Sequence, residues 1–242
     1  MLKSSLMINE PTIDSLLGHM KFQHQPVHLP ELRTTTVNNK RYYLTDTGNK
    51  YPSITTVLKD RGNEGVIKWR KRVGEDVANA VSRKATNRGT KFHTIVEEFL
   101  DNKDVRIHRK DFLTYEIFLH MKNTLVASVN NIRAQECGLY SNKYKVAGRV
   151  DCIAEYDGVL SIIDFKTSRR KRKDEWNENY YIQSSAYAEM FEERTGTPIE
   201  QIVILVVTED GEVEAFVRSK SKYLPLLSEA VDNFNKELIS EG

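Results

Sequence analysis

The stretch that decides the fold is GRVDCIAEYDGVLSIIDFKTS, residues 148–168. Asp157 and Gly158 predict a two-residue hairpin turn, because both positions of such a turn need a positive φ that Asp and Gly tolerate. If these two residues are the whole loop, Tyr156 faces Val159. Counting outward in the same register gives three further cross-strand pairs: Ile153 with Ile162, Asp151 with Asp164, and Arg149 with Lys166.

Two carboxylates, Asp151 and Asp164, therefore share one face of the predicted sheet. Carboxylates directly opposite each other repel and destabilise a hairpin, so that Asp164→Asn should stabilise the metal-free protein. A divalent cation between them reverses the sign, because Mg²⁺ prefers hard oxygen ligands. Lys166 lies two residues after Asp164, and its ammonium projects from the same face. The pattern predicts a two-carboxylate metal site with a cation beside it.

Solvated charge at a hairpin mouth is the simpler interpretation of the same residues. The neighbours of Asp164 argue against it, because residues 159–165 form a nearly continuous apolar run, typical of a strand buried on both faces. A buried carboxylate without a partner or a metal is costly enough to be rare. We therefore favour a functional site over surface charge.

The bulk properties fit an intracellular globular protein. The chain has 242 residues, a formal net charge of +2 and a pI near 8.4, so any affinity for nucleic acid must come from local patches. Cys137 and Cys152 both fall in predicted strands, which suggests no disulfide framework and favours a reducing compartment. The longest apolar run, residues 202–207, is too short to span a bilayer, and residues 6–11 offer no signal-peptide core. We expect a cytoplasmic location.

The periodicity of the apolar residues predicts an α/β domain at 51–242, preceded by an irregular N-terminal arm at 1–50. A short hairpin around residues 46–49 leads into a helix near Thr55. The further elements expected are helices over 65–85, 89–100 and about 113–132, strands within 134–166, a helix over 180–193, a hairpin of strands 201–208 and 213–218, and a closing helix over 223–238. This order favours a central mixed sheet flanked by helices.

The first long helix carries its apolar residues at spacings of three and four: Val66, Trp69, Val73, Val77 and Val81. Such spacing marks an amphipathic helix, so this face, Trp69 included, is expected to pack inward. The basic residues around Trp69 are a second candidate for phosphate contact, but inward packing leaves Trp69 no role in base stacking.

Four sequence elements, within residues 50–190, resemble the RecB-like branch of the PD-(D/E)XK nucleases. They are RGTKFH at 88–93, GRVD ending at Asp151, DFKTS at 164–168, and Gln183 followed by Tyr187. Within that branch the chain is similar to stand-alone single-strand DNA exonucleases of the mitochondrial genome maintenance type and their phage-borne relatives, whose Pro-Ser-x-Thr-x-Val-Leu opening matches residues 52–58. The departures are mild: no Pro precedes Asp151, and position 164 is Asp rather than Glu.

The resemblance implies a restriction-endonuclease-like core and a Mg²⁺ or Mn²⁺ site. It implies that His93, Asp151, Asp164 and the backbone carbonyl of Phe165 hold the metal, and that Asp151, Asp164 and Lys166 are catalytic. Without the resemblance, a lone His on an apolar helix face is more often a satisfied core residue.

Two glutamates are accessory candidates. Glu97 shares a helix face with His93, where it would orient His93 or a water, or form an ion pair with a lysine instead. If Asn142 and Lys143 form a two-residue turn, Glu136 faces Arg149 and shares the face of Asp151. The resemblance implies a comparable strand Glu, but the register here stays open.

A run of basic residues follows the site directly: Arg169, Arg170, Lys171, Arg172 and Lys173. Such a run is usually a solvated loop, but its position at the mouth of a metal site favours contact with phosphates. Gln183 and Tyr187 lie four residues apart on one helical face. They either pack on the sheet or, as the resemblance implies, line the substrate channel.

Together the residues and the resemblance predict a Mg²⁺- or Mn²⁺-dependent deoxyribonuclease, with DNA as its partner and single-stranded ends as its substrate. Replication or recombination proteins are candidate partners, and the location is the host cytoplasm if a phage encodes the chain. The sequence contains no Gly-rich phosphate loop and so predicts no ATPase motor.

The alternative is a non-catalytic nucleic-acid-binding or assembly module that keeps the fold. The intact set of Asp151, Asp164 and Lys166 favours the enzyme. Cleavage polarity and oligomeric state stay open.

Overall fold

The computed structural model describes residues 21–240. Its first elements are three short strands, β1 (Arg33–Val37), β2 (Lys40–Leu44) and β3 (Lys50–Pro52), which form an antiparallel sheet in that order. The predicted hairpin around residues 46–49 is confirmed. The expectation of an irregular arm is wrong for residues 33–44, where β1 and β2 pair, and its first twenty residues lie outside the described range. The domain boundary at residue 51 stays a prediction.

Three helices follow: α1 (Ile54–Val57), α2 (Glu64–Val73) and α3 (Glu75–Leu100). α1 lies where a helix was expected near Thr55. Gly74 separates α2 from α3 with a φ of 86° and a ψ of 153°, a conformation that glycine adopts readily and other residues rarely do. The predicted helices over 65–85 and 89–100 are therefore wrong at their shared boundary. The chain breaks at Gly74 and stays helical through Gly89.

The apolar stripe on α2 and the start of α3 is largely solvent-exposed. Val66, Val77 and Val81 are 54%, 53% and 38% exposed, no residue of α2 is buried, and Trp69 is only half-buried. The expectation that this face packs inward is wrong. The spacing of three and four identified the helices, but within the described chain nothing covers most of this stripe.

α4 (Phe112–Ser128) follows a 3₁₀ helix at Val105–Lys110. It ends earlier than predicted, because Val129 has extended backbone with a φ of −101° and a ψ of 131°. Val129 and Ile132 therefore belong to the next strand rather than to the helix. Both are buried, so the apolar spacing of the helix continues into the strand and does not reveal where the helix ends.

The central sheet has five strands: β4 (Val129–Ser141), β5 (Val146–Tyr156), β6 (Val159–Ser168), β7 (Gln201–Thr208) and β8 (Val213–Ser219). They lie in sequence order, β6 and β7 are parallel, and the other neighbours are antiparallel. The parallel pair is joined through α5 (Glu178–Thr195), and α6 (Leu224–Ser240) closes the described chain. The predicted mixed α/β sheet flanked by helices is confirmed.

Apolar side chains cover both faces of this sheet. On one face Ile162 and Ile204 pack with α5 and α6, and on the other Ile163 and Leu205 pack with α3 and α4. Successive side chains of a strand point to opposite faces, so a strand covered on both sides is apolar at nearly every position. Within residues 21–240, no helix is both long and apolar enough to cross a membrane.

Candidate active site

The Asp157–Gly158 turn sets the positions of the acidic residues. Its φ values of 50° and 78° are positive, as a two-residue turn requires. The register is confirmed inward from the turn, where Tyr156 pairs with Val159 and Ile153 with Ile162, as far as Cys152 with Ile163.

Beyond that point β5 and β6 diverge. Oδ2 of Asp151 accepts a hydrogen bond from the backbone N–H of Phe165 at 3.0 Å, which replaces a strand-to-strand bond. The direct cross-strand pairs expected between Asp151 and Asp164 and between Arg149 and Lys166 are therefore not formed. Side chains from α3, β4 and β6 lie near Asp151 at this opening between the strands.

Lys166 lies between the two aspartates. Its Nζ is 2.5 Å from Oδ2 of Asp164 and 4.0 Å from Oδ2 of Asp151, so the expectation of a shared face for Asp164 and Lys166 is confirmed. Burial lowers the pKa of Lys166, but Asp164 and Asp151 raise it by more, and the group stays protonated. The ring of Tyr180, with its centroid 4.9 Å from Nζ, further stabilises this cation.

Asp164 is buried, as the apolar run around it predicts, with 2% of its surface exposed. Burial raises the pKa of Asp164 to about 6, and the neighbouring Lys166 only partly opposes that rise. Although the ammonium is close, Oδ2 of Asp164 has no hydrogen-bond partner of acceptable geometry among residues 21–240. Buried polar atoms are usually satisfied, so this oxygen has capacity for a further electrophile.

His93, Glu136 and Asp151 converge on the same opening. Nδ1 of His93 is 3.5 Å from Oδ2 of Asp151 and 3.7 Å from Oε1 of Glu136. One donor atom from each of the three residues lies within 4.8 Å of the other two. Burial lowers the pKa of His93, but Glu136 and Asp151 raise it by more, so the overall shift is upward. The three side chains therefore form a pocket whose donor atoms can hold a cation.

Glu136 lies in this pocket, but the pairing of β4 with β5 differs from the predicted pairing. Four residues, 142–145, join β4 to β5, and Arg149 pairs with Gly138, so the expected pairing of Glu136 with Arg149 is wrong. Glu136 instead lies opposite Asp151, at a position where β4 and β5 form no residue pair. Its φ of 44° is rare for a residue other than glycine, and such strained backbone clusters at functional sites. The expectation that Glu136 shares the face of Asp151 is confirmed.

The donor set fits a hard divalent cation. Carboxylate oxygens with one imidazole nitrogen, brought from a helix and two strands, are ligands that Mg²⁺ and Mn²⁺ accept. Asp164 lies outside this three-residue group and is paired with Lys166. The carbonyl of Phe165 lies 3.4 Å from the same ammonium. The metal-binding roles of His93, Asp151, Asp164 and Phe165 stay predictions.

Glu97 lies on α3 one helical turn after His93. Burial raises the pKa of Glu97, and the nearby charges of Glu136 and Asp101 raise it further. Its carboxylate thus lies near the charge of Glu136, but it is not one of the three convergent donors. Its accessory role stays a prediction.

Gln183 and Tyr187 share a face of α5, where Nε2 of Gln183 donates to Oη of Tyr187 at 3.2 Å. Tyr187 is 2% exposed and packs in the core, and burial, followed by the charges of Asp151 and Asp164, raises its pKa. Its ring lies against the backbone of Gly148, where an added Cβ would come within 2.6 Å of it. Packing of Tyr187 in the core is confirmed, and the role of Gln183 and Tyr187 in lining a substrate channel stays a prediction. The contact also explains why a glycine precedes the Arg-Val-Asp sequence.

In the basic run of residues 169–173, some side chains bond other residues of the protein and others do not. Nε of Arg172 donates to Oδ1 of Asn177, and its Nη2 donates to the carbonyl of Trp176, both at 2.9 Å. Lys171 lies 3.4 Å from Glu214. Arg169 and Arg170 are exposed, and their guanidinium groups make no hydrogen bond or ion pair within residues 21–240.

Sequence reasoning missed one residue and one ion pair near the site. Tyr180 could have been found, because it lies three residues before Gln183 and shares the helical face of Gln183 and Tyr187. The ion pair between Arg88 on α3 and Glu209 after β7 could not, since 121 residues separate its partners. This pair fixes α3 to the end of the sheet beside His93.

The chain belongs to the PD-(D/E)XK nuclease superfamily, whose family model matches residues 108–240, more than half of the sequence. Human mitochondrial genome maintenance exonuclease 1 is 26% identical over 132 residues, and the mouse protein of the same name is 24% identical over 132 residues. These matches cover 51% of this chain and 38% and 39% of the two relatives, so the chain spans about two fifths of their length. The predicted resemblance to these proteins is confirmed.

A solved structure from Eubacterium rectale, described as a candidate exonuclease, is also similar. It is 12% identical with a TM-score of 0.43, and the match covers 63% of this chain and 66% of that one.

Proposed function

We propose that this chain is a metal-dependent deoxyribonuclease that hydrolyses phosphodiester bonds at the ends of single-stranded DNA. The observation that carries the proposal is the convergence of His93, Glu136 and Asp151 within 4.8 Å, beside the buried pair of Asp164 and Lys166. In a member of a nuclease superfamily, such a group is suited to phosphoryl transfer to water.

The metal would be held by His93, Asp151, Asp164 and the carbonyl of Phe165, with Glu136 as a further ligand and Glu97 as an accessory group. A bound Mg²⁺ or Mn²⁺ supplies Lewis acidity, which lowers the pKa of water and polarises a phosphate oxygen. Asp164 suits this set because its Oδ2 is buried and lacks a well-formed hydrogen bond.

Lys166 supplies a fixed positive charge to the same site. Its raised pKa keeps Nζ protonated, and Tyr180 and Asp164 hold the ammonium in place. A preorganised cation in a water-poor site stabilises negative charge that develops on a phosphate, more than it would in water. Lys166 therefore acts on the reacting phosphate, while the carboxylates act on the metal.

Arg169 and Arg170 contact the DNA backbone in this proposal. They lie just after β6 and are exposed, so they can neutralise phosphates of a strand that enters the site. Exonuclease action and the preference for single strands rest on the resemblance to proteins named exonucleases. Association with replication or recombination proteins rests on the resemblance as well. The cytoplasmic location is proposed from the two free cysteines, Cys137 and Cys152.

The substrate is tested with four labelled DNAs of equal length: a linear single strand, the same strand circularised, a linear duplex and a nicked circular duplex. We expect the wild-type protein with Mg²⁺ or Mn²⁺ to degrade the linear single strand alone. Degradation of the circular strand would show endonuclease action. Binding without degradation of any substrate would instead support the non-catalytic DNA-binding module.

A further inference from the structure

We propose that Trp176 is a base-stacking residue that selects single-stranded DNA at the entrance to the candidate active site. The inference rests on the proposed function in taking DNA as the ligand. It adds a specificity-determining residue outside the four sequence elements of the resemblance.

Trp176 is an unusually exposed aromatic residue. It lies in a 3₁₀ helix at Asp174–Asn177, and 57% of its surface is accessible, whereas tryptophan is highly buried on average. It lines a cleft of about 240 Å³ with the five residues 168–172. An indole ring that forms one wall of a cleft can receive a flat ligand.

The backbone beneath the ring is held by hydrogen bonds, while more than half of the Trp176 surface is exposed. Arg172 bonds the carbonyl of Trp176 and the side chain of the buried Asn177, both at 2.9 Å. The N–H of Trp176 donates to the carbonyl of Lys173 at 3.0 Å. A ligand that stacks on this ring would therefore meet a preorganised surface, which lowers the entropic cost of binding.

The cleft adjoins the catalytic strand. It begins at Ser168, two residues after Lys166. Tyr180 connects them, because its ring centroid lies 4.9 Å from Nζ of Lys166 and 5.3 Å from the guanidinium carbon of Arg172. A nucleotide bound against Trp176 would therefore lie beside the site where a neighbouring phosphodiester is hydrolysed.

The charge around the ring identifies the ligand as a polyanion. Arg169 and Arg170 line the cleft, and their guanidinium groups make no hydrogen bond or ion pair within residues 21–240. Nζ of Lys173 lies 5.8 Å from the indole centroid and 3.8 Å from Oε1 of Glu175, so its charge is partly neutralised. A basic groove with an exposed aromatic platform is how proteins bind single strands without sequence preference. In a duplex each base is already stacked and paired, so Trp176 favours a single strand.

The test uses intrinsic fluorescence and affinity together. The chain has two tryptophans, so Trp69→Phe leaves Trp176 as the single tryptophan, whose emission is excited at wavelengths that tyrosine does not absorb. Titration with oligothymidylate in excess chelator, where cleavage is stopped, should quench its emission. An oligonucleotide of abasic sites, which keeps the phosphates and lacks the bases, should bind more weakly and quench little.

Variants then measure the contribution of the ring. Trp176→Ala should weaken oligothymidylate binding by about fivefold to about a hundredfold, whereas Trp176→Phe should retain most of the affinity. Binding to the abasic strand should change little in either variant. Phe112→Ala is the matched control, because Phe112 is 73% exposed and lies outside the cleft.

The results separate this inference from the proposed function. If wild-type protein degrades DNA and Trp176→Ala binds oligothymidylate as tightly as wild type, the inference is overturned and the proposed function stands. If emission of Trp176 is quenched and Trp176→Ala binds weakly, but no DNA is degraded, the inference stands and the proposed function fails. If wild-type protein binds no single strand, both fail.

Discussion

Nζ of Lys166 lies 2.5 Å from Oδ2 of Asp164, inside the sheet and next to Asp151. The ammonium therefore offsets part of the repulsion that the sequence predicts between the two aspartates. It only partly offsets the burial of Asp164, whose pKa is still raised to about 6. The metal-free site thus holds a carboxylate that is unfavourable when ionised, and this has consequences that experiments can measure.

The first prediction concerns stability without metal. Because the folded pKa of Asp164 is above its usual value, its contribution to stability is fully present below about pH 4 and is lost as the pH rises through about 6. Asp164→Asn removes the ionisation, so in chelator at pH 7.5 the variant should be more stable than wild type by about 2–3 kcal/mol. Urea unfolding from pH 4 to 8 measures the difference, which should shrink toward acid pH.

Asp232→Asn is the control, because Asp232 is an exposed carboxylate on α6. It should show no such pH-dependent gain. A less stable Asp164→Asn protein at pH 7.5 would mean that the ion pair with Lys166 outweighs the burial of Asp164.

The second prediction separates the roles of Lys166 and His93. Lys166→Ala should retain metal affinity and lose about a hundredfold or more in single-turnover rate, because a preorganised charge at the reacting phosphate is lost. Lys166→Arg should rescue poorly, since a planar guanidinium places its donors differently. His93→Ala should weaken metal binding and recover in part with higher Mn²⁺. Calorimetric metal titration beside cleavage assays distinguishes them, and equal losses of metal affinity would show that the division of roles is wrong.

The third prediction divides the basic run. Arg169→Ser with Arg170→Ser should weaken DNA binding and flatten its salt dependence, with the slope reduced by about 0.7 for each lost phosphate contact on a single strand. Arg172→Ser should in addition lower the free energy of unfolding, because Arg172 bonds Asn177 and the carbonyl of Trp176. A salt titration and an unfolding curve for each protein test this. Unchanged binding after the double substitution would show that the run is only solvated.

The fourth prediction concerns the contact between Gly148 and Tyr187. Gly148→Ala places a Cβ 2.6 Å from the buried ring of Tyr187, and overpacking of this kind costs about 1–3 kcal/mol. Displacement of Tyr187 should also lower activity, since the ring packs near the aspartates. Ala147→Gly, at the neighbouring buried position, is a control that creates space instead of a clash. An unchanged melting temperature for Gly148→Ala would contradict the packing described for this site.

Local features were predictable from the sequence, and contacts distant along the chain were not. The Asp157–Gly158 turn encodes the register of the pairs next to it, and the spacing of two residues placed Asp164 and Lys166 on one face correctly. The divergence of β5 and β6 depends on the hydrogen bond between Asp151 and Phe165, which no periodicity reveals. The left-handed backbone of Glu136 likewise has no signature in residue type.

The helices also show that a local sequence pattern does not reveal tertiary contacts. Val66 and Val77 have the spacing of a core face, yet they are exposed, because periodicity indicates amphipathicity and not the presence of a partner. The break at Gly74 and the continuation through Gly89 also show that a glycine ends a helix only where the backbone uses a positive φ. Tertiary context decides between these outcomes.

The most direct test of the central claim is degradation of end-labelled single-stranded DNA by wild-type protein, Asp164→Asn and Asp232→Asn, each with Mg²⁺, with Mn²⁺ and with excess chelator. We predict that wild type and Asp232→Asn degrade the strand with either metal, that chelator stops both, and that Asp164→Asn is folded and inactive throughout. Degradation by wild type in chelator, or undiminished degradation by Asp164→Asn, would contradict a metal-dependent nuclease site at these residues.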